Sequence, residues 1–122
     1  MENKIEIFNT SSGTEVVVQL ENETVWLNRQ QLAILFDRDV KTIGKHLNNV
    51  FADNELDKNS TVANFATVQK EGEREVTRYI EFYNLDVIIS VGYRVKSPQG
   101  VKFHQWATAR LKDYFNYFKF AA

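Results

Sequence analysis

The chain of 122 residues contains no cysteine. Disulfides and thiolate metal sites are therefore excluded, as in a chain built for a reducing compartment, and its length suffices to bury a core without covalent staples. Runs of Val, Ile and Leu alone reach only three residues, at Val16–Val18 and Val87–Ile89. A membrane-crossing helix needs roughly 20 apolar residues. The start, Met-Glu-Asn-Lys-Ile-Glu, has no basic segment leading into an apolar one, so no secretory signal is read there. The expected location is the cytoplasm, with no membrane partner. Histidine is scarce too: His46 and His104 fall in unrelated segments, with no HExxH spacing, no Gly-rich phosphate loop and no nucleophile beside a base. Neither an enzyme nor a metal or other cofactor is expected.

An excess of positive charge is also missing. The net charge is −1, which offers little non-specific attraction to nucleic acid. The charge is unevenly spread, however. Basic against acidic residues number 1 to 5 over residues 1–27, 4 to 2 over 28–50, 4 to 8 over 51–91 and 6 to 1 over 92–122. The second and fourth segments are the basic ones.

The second segment carries the most informative pattern. In Trp26–Phe51, Leu32, Leu35 and Phe36 fall at the i, i+3, i+4 spacing of a helix. Asn28 is its expected N-cap, with Gln31 three residues on as the capping-box partner. Val40, Ile43, Leu47 and Val50 mark a second helix that Asp39 can cap. Asp37-Arg38-Asp39 leaves room only for a tight turn, the pattern of a helix-turn-helix. With Ile43 and Leu47 inside, Lys41, Thr42, Lys45, Asn48 and Asn49 lie on the outer face. These residue types contact phosphates and base edges in the major groove. Arg29 and Arg38 are placed to reach the flanking backbone. Gly44, unfavourable in a helix by about 1 kcal/mol, suggests close approach by another backbone.

On either side the chain reads as strands and helices. Lys4–Phe8 and Thr14–Leu20 form an N-terminal hairpin, and Thr24–Trp26 is a short strand entering the first helix. Residues 52–60 read as a polar loop anchored by Leu56. Val62–Gln69 and Arg74–Tyr83 alternate around Lys70–Glu73 and form a second hairpin. As a wing it would offer Lys70, Arg74 and Arg78 to phosphates, against the opposing charge of Glu71, Glu73 and Glu75. Asn84 caps a helix over Leu85–Arg94, with Leu85, Ile88, Ile89 and Val91 inward and Asp86 able to pair with Arg94. Ser97 and the single proline, Pro98, start the last and longest helix. Its stripe of Phe103, Trp106, Ala107, Leu111, Tyr114, Phe115 and Phe118 is core at first. Its aromatic end, Tyr114, Phe115 and Phe118, is a candidate homodimer surface. The expected fold is α+β: one winged helix-turn-helix-like domain over residues 1–122 with an N-terminal β-hairpin, a second, wing-like β-hairpin and C-terminal helices, the N-terminal part of a longer protein.

Val25-Trp26-Leu27, Leu35-Phe36 before the charged turn, His46–Phe51, Glu55-Leu56 and, above all, the block Tyr83–Val95 followed by Phe103, Trp106–Thr108 and Leu111–Tyr114 resemble the RhuM family of bacterial virulence-associated proteins. More distantly, the region is similar to phage antirepressor N-terminal domains. The resemblance implies a bacterial or phage-derived, DNA-related domain, in longer members sometimes fused to a Fic/Doc-type toxin domain. Relatives carry Gly at the turn where this chain has Asp37. Two functions are therefore expected as alternatives. One is a double-stranded-DNA reader, as a homodimer, inserting the Val40–Asn49 helix into the major groove. The other is a protein-interaction or oligomerisation domain on the same scaffold, serving a fused or separate toxin-type or virulence-associated partner.

Overall fold

In the computed structural model, residues 4–121 are described, with side chains through residue 114. Three strands, β1 (Lys4–Asn9), β2 (Glu15–Glu21) and β3 (Thr24–Asn28), form a meander. Three helices follow: α1 (Arg29–Phe36), α2 (Val40–Ala52) and the single turn α3 (Lys58–Thr61). A long hairpin, β4 (Val62–Glu71) and β5 (Arg74–Asn84), leads into α4 (Leu85–Arg94) and α5 (Gln99–Ala121). The sheet order is β1-β2-β3-β5-β4, antiparallel throughout. The strand that enters α1 thus pairs with the returning strand of the later hairpin. The result is a mixed α+β fold in which the two helices of the turn motif are inserted between paired strands.

Turn chemistry sets the register. Asn22 and Glu23, the two loop residues between β2 and β3, both have positive φ (53° and 64°), as a type I′ turn requires. Gly72 supplies the positive φ of the β4–β5 turn.

Strand alternation then sorts side chains between two faces. Val16, Val18, Leu20, Val25, Leu27 and Tyr83 are buried on one face under the helices, together with Leu32, Phe36, Ile43, Leu47, Ile88 and Phe103. The opposite face carries no helix among the described residues. There Trp26, Phe65 and Phe82 pack edge to face, with ring centroids 5.6 and 5.2 Å apart, and tie β3, β5 and β4 together. No helix among the described residues is long and apolar enough to cross a membrane.

Helix ends are unusually short of glycine. α1 closes on Asp37 at φ 52°, with the amide of Arg38 bonded to the Ala33 carbonyl (3.0 Å) and that of Asp37 to Ile34 (3.3 Å). The same closure recurs at Asn54 after α2 and at Lys96 after α4. This is the Schellman arrangement, normally completed by Gly because an L side chain is strained there. Asn and Asp tolerate the conformation better than Lys.

Where glycine is present in α4, it serves packing. A Cβ on Gly92 would lie 3.0 Å from two ring carbons of Phe36 and 3.4 Å from the Gly100 Cα. α4 therefore presses on the end of α1 and lets α5 cross it.

Several local expectations are met in detail. Asn28 and Gln31 form the reciprocal capping box, both bonds 2.8 Å. Asn84 caps α4 and Ser97 accepts from the Gln99 amide at the start of α5. Others need correction. Residues 52–60 are not all loop: α2 runs through Ala52, and α3 begins at Lys58, with the Thr61 hydroxyl donating to the Asp57 carbonyl at 2.7 Å. In α4 the most buried residues are Val87, Ile88, Val91 and Gly92, while Leu85 and Ile89 are half-buried. The helix is rotated toward Val87 because its small Gly92 must face Phe36.

Candidate nucleic-acid interface

α2 is held by α1 on one side and α4 on the other. Its buried stripe is Ile43, Gly44, Leu47 and Val50. The opposite side presents Lys41, Thr42, Lys45 and Asn48 to solvent, and Asn49 lies half-buried at the border with His46. Val40 departs from the expected inward position. It is 40% exposed, because the chain has only just left the turn and no element covers that end of the helix. Asp39 precedes α2 but makes no side-chain cap bond.

Among the described residues, Lys41, Thr42, Lys45, Asn48 and Asn49 have no side-chain hydrogen bond or ion pair. Most arginines contrast with this. Arg38 donates to three backbone carbonyls, those of Phe36 (2.9 Å), Asp37 (3.2 Å) and Val95 (2.9 Å). It clasps the end of α1 to the end of α4. Arg29 lies across α2: a Cβ on Gly44 would sit 3.2 Å from its Nη1. Gly44 thus faces the mobile end of a side chain, not the backbone approach that its position suggested. The Tyr83 hydroxyl donates to Glu81 at 3.2 Å. Burial, and secondarily the Glu81 charge, raise the Tyr83 pKa above the usual phenol value, and the positive charge of Arg29 nearby acts to lower it.

Arg94 is equally committed, to Asp53 and Glu55 at 3.0 Å each. The pairing with Asp86 does not form. Eight residues along a helix separate the two by about 12 Å, whereas the loop after α2 brings two carboxylates directly to the guanidinium. The Ser90 hydroxyl first, then Arg94, holds the Glu55 carboxyl below its usual pKa, and Asp53 chiefly raises that of Arg94. Arg94 therefore fastens α4 to the end of α2.

The hairpin separates its three basic residues. Lys70 shares the pleat face of Val68 and Tyr79, both largely exposed. Arg74 and Arg78 occupy the other face, and Arg78 is held by Glu71 through two bonds of 2.8 and 3.0 Å. Between this hairpin and α2 lies a cleft of about 330 Å³, lined by Asn28, Arg29, Gln30, Val40, Gln69, Ile80, Glu81 and Tyr83. No local pattern marks this cleft, because it depends on β3 pairing with β5.

At the far end, Tyr114 is half-buried with the Lys4 ammonium 5.7 Å above its ring. Phe115 and Phe118, its companions in the expected dimer surface, lie outside the described side chains. No curated protein and no solved structure matches the chain. Residues 60–119, spanning β4, β5, α4 and most of α5, match the profile of the virulence protein RhuM family.

Proposed function

We propose that the chain is a double-stranded-DNA-binding domain that lays α2 in the major groove. One observation carries the reading: the outer side of α2 keeps Lys41, Thr42, Lys45 and Asn48 exposed and unpaired, while Arg38, Arg78 and Arg94 are tied to groups within the fold. Lysines of this kind neutralise phosphate or donate to guanine, and Asn and Thr read base edges. The succession of strand, three helices and hairpin, with the first strand paired to the last, resembles a winged helix-turn-helix and supports the same reading. α2 precedes the family-matched segment, so the reading rests on the residues of α2 themselves. Arg29, lying across α2, and Arg38, joining the ends of α1 and α4 that flank it, act in it as supports of α2.

The alternative is a protein-interaction domain, accessory to a toxin-type or virulence-associated partner. It is favoured by the exposed Ile5, Ile7 and Val17 on the helix-free face of the sheet. Selection from a random duplex pool, at low and near-physiological salt, separates the two readings. Enrichment of a motif by the parent chain, lost in the Lys41→Glu/Lys45→Glu double variant, is the expected result. No retention at either salt removes the DNA reading.

A further inference from the structure

The two edges of the sheet are built differently. β1 has six residues and carries Lys4 and Glu6. β4 has ten, and from Val62 through Gln69 it contains no charge and no proline. Its register with β5 runs unbroken from Val62 opposite Tyr83 to Glu71 opposite Arg74, so no bulge twists the edge away. Val68 on this strand is 68% exposed. Proteins ordinarily block a free edge by charge, proline, bulge or brevity, because its open amides and carbonyls template another strand. Here the charged residues, Lys70 and Glu71, come only at the tip.

We propose that β4 pairs antiparallel with β4 of a second copy of this chain, about a two-fold axis at Ala66, to give a continuous ten-stranded sheet. An uncharged edge can face itself without like-charge repulsion. With Ala66 on the axis, Asn64 lies opposite the partner's Val68 and Phe65 opposite the partner's Thr67, and no two like charges meet.

The placement of α2 supports a second copy over any other occupant, an argument that rests on the DNA reading. An axis through an antiparallel edge pair is perpendicular to the sheet. All the helices lie on one face, so both copies of α2 fall on the same side of the dimer. Packing of the helix-free faces would put them on opposite sides.

The spacing follows from sheet geometry. α1 packs on β2 and β3 and α4 on β3 and β5, which centres α2 over β3. With strands about 4.8 Å apart, β3 lies about 12 Å from the axis. The row Leu27–Tyr83–Val62 and its neighbour Asn28–Phe82–Ala63 lie three to four residues along the strand from Ala66, about 10–13 Å. The two copies of α2 are then about 31–35 Å apart, close to the roughly 34 Å that separates half-sites one turn apart on B-DNA.

The absence of native cysteine makes the test clean. Ala66→Cys, mildly oxidised at micromolar concentration, is expected to give a covalent dimer, because facing residues on the axis lie within disulfide reach. Val17→Cys, on the helix-free face, is expected not to. Ala66→Lys places two ammonium groups together on the axis. It should sediment as a monomer while keeping the parent circular-dichroism spectrum. A parent chain that sediments as a monomer, a dimer that cross-links best through Val17→Cys, or an Ala66→Lys variant that stays dimeric overturns the proposal. Retention on duplex DNA is measured on the same samples. A dimer cross-linked at residue 66 that retains no DNA leaves the edge pairing standing and removes the DNA reading. A parent monomer that retains DNA does the reverse.

Discussion

Gly92 and Gly100 face each other where α4 and α5 cross, yet substitution by alanine should move stability in opposite directions. At Gly92 the added methyl meets Cε1 and Cζ of Phe36 at 3.0 Å, and that ring is 1% exposed, walled in at the end of α1. The ring cannot swing out to solvent, so α1 and α4 must part by a few tenths of an ångström. Overpacking of this kind costs about 1–3 kcal/mol. The higher helix propensity of Ala, reduced in the last turn of α4, returns about 0.5 kcal/mol, which leaves a net loss of about 0.5–2.5 kcal/mol. At Gly100 the nearest atom to the new Cβ is 3.7 Å away, ordinary contact. Only the propensity gain operates, reduced near a helix start, and a gain of about 0.5 kcal/mol is expected. Urea denaturation of both variants measures the difference. Phe36→Leu, which withdraws the ring, should cost less in the Gly92→Ala background than in the parent chain. A Gly92→Ala variant as stable as the parent, or additivity of the two changes, would refute the packing argument.

The helix closures give a second test: Lys96→Gly should raise stability by about 0.5–1 kcal/mol and Asp37→Gly by less, because Asp tolerates positive φ better than Lys, and thermal unfolding ranks the two. Glu55 gives a pH dependence. Its folded pKa is depressed, so its contribution is complete above the ordinary carboxylate pKa of about 4.5 and is lost as pH falls through the lower folded value. Arg94→Met should therefore flatten the loss of stability on acidification below about pH 4.5, followed by denaturation at stepped pH. Gly44→Ala should be neutral or stabilising by up to about 1 kcal/mol, since only the flexible end of Arg29 must move. Loss of that guanidinium from Tyr83 should raise the tyrosine pKa further, which ultraviolet titration can follow.

What could be read from the sequence was set by near neighbours. Asn28 with Gln31, Asn84 with the amide of Val87 and Ser97 before Pro98 place three helix starts, because a cap and its partner lie within three residues. The strands of the second hairpin follow from alternation about Gly72. The buried face of α2 follows from helical spacing, and with it the outward position of Lys41, Lys45 and Asn48. Contacts between distant residues left no such trace. The pairing of β3 with β5 brings Leu27 against Tyr83, and no local pattern in either strand names the other. Gly44 and Gly92 signalled close packing, but not that Arg29 and Phe36 would fill the space. The charge of Arg94 was visible, but its partners Asp53 and Glu55 are supplied by the loop after α2.

Chemistry therefore divides the basic residues in a way that counting cannot. A guanidinium offers five donors in a rigid fork and keeps its charge when partly desolvated, whereas an ammonium is a compact, strongly hydrated point on a flexible stem. The fold uses the first where several fixed acceptors converge: three carbonyls around Arg38, two carboxylates around Arg94 and one carboxylate gripped twice by Arg78. Lys41 and Lys45 are left on α2, where no acceptor among the described residues reaches them. The carboxylate gripped by Arg78 is neutralised locally, whereas the two around Arg94 leave one negative charge at the end of α2, so attraction at α2 rests on Lys41 and Lys45 themselves. On the DNA-binding reading proposed above, replacing Lys41 and Lys45 is expected to abolish retention on duplex DNA at little cost to folding. Replacing Arg38 loosens the junction of α1 and α4, so any loss of DNA affinity in that variant should appear together with a fall in stability.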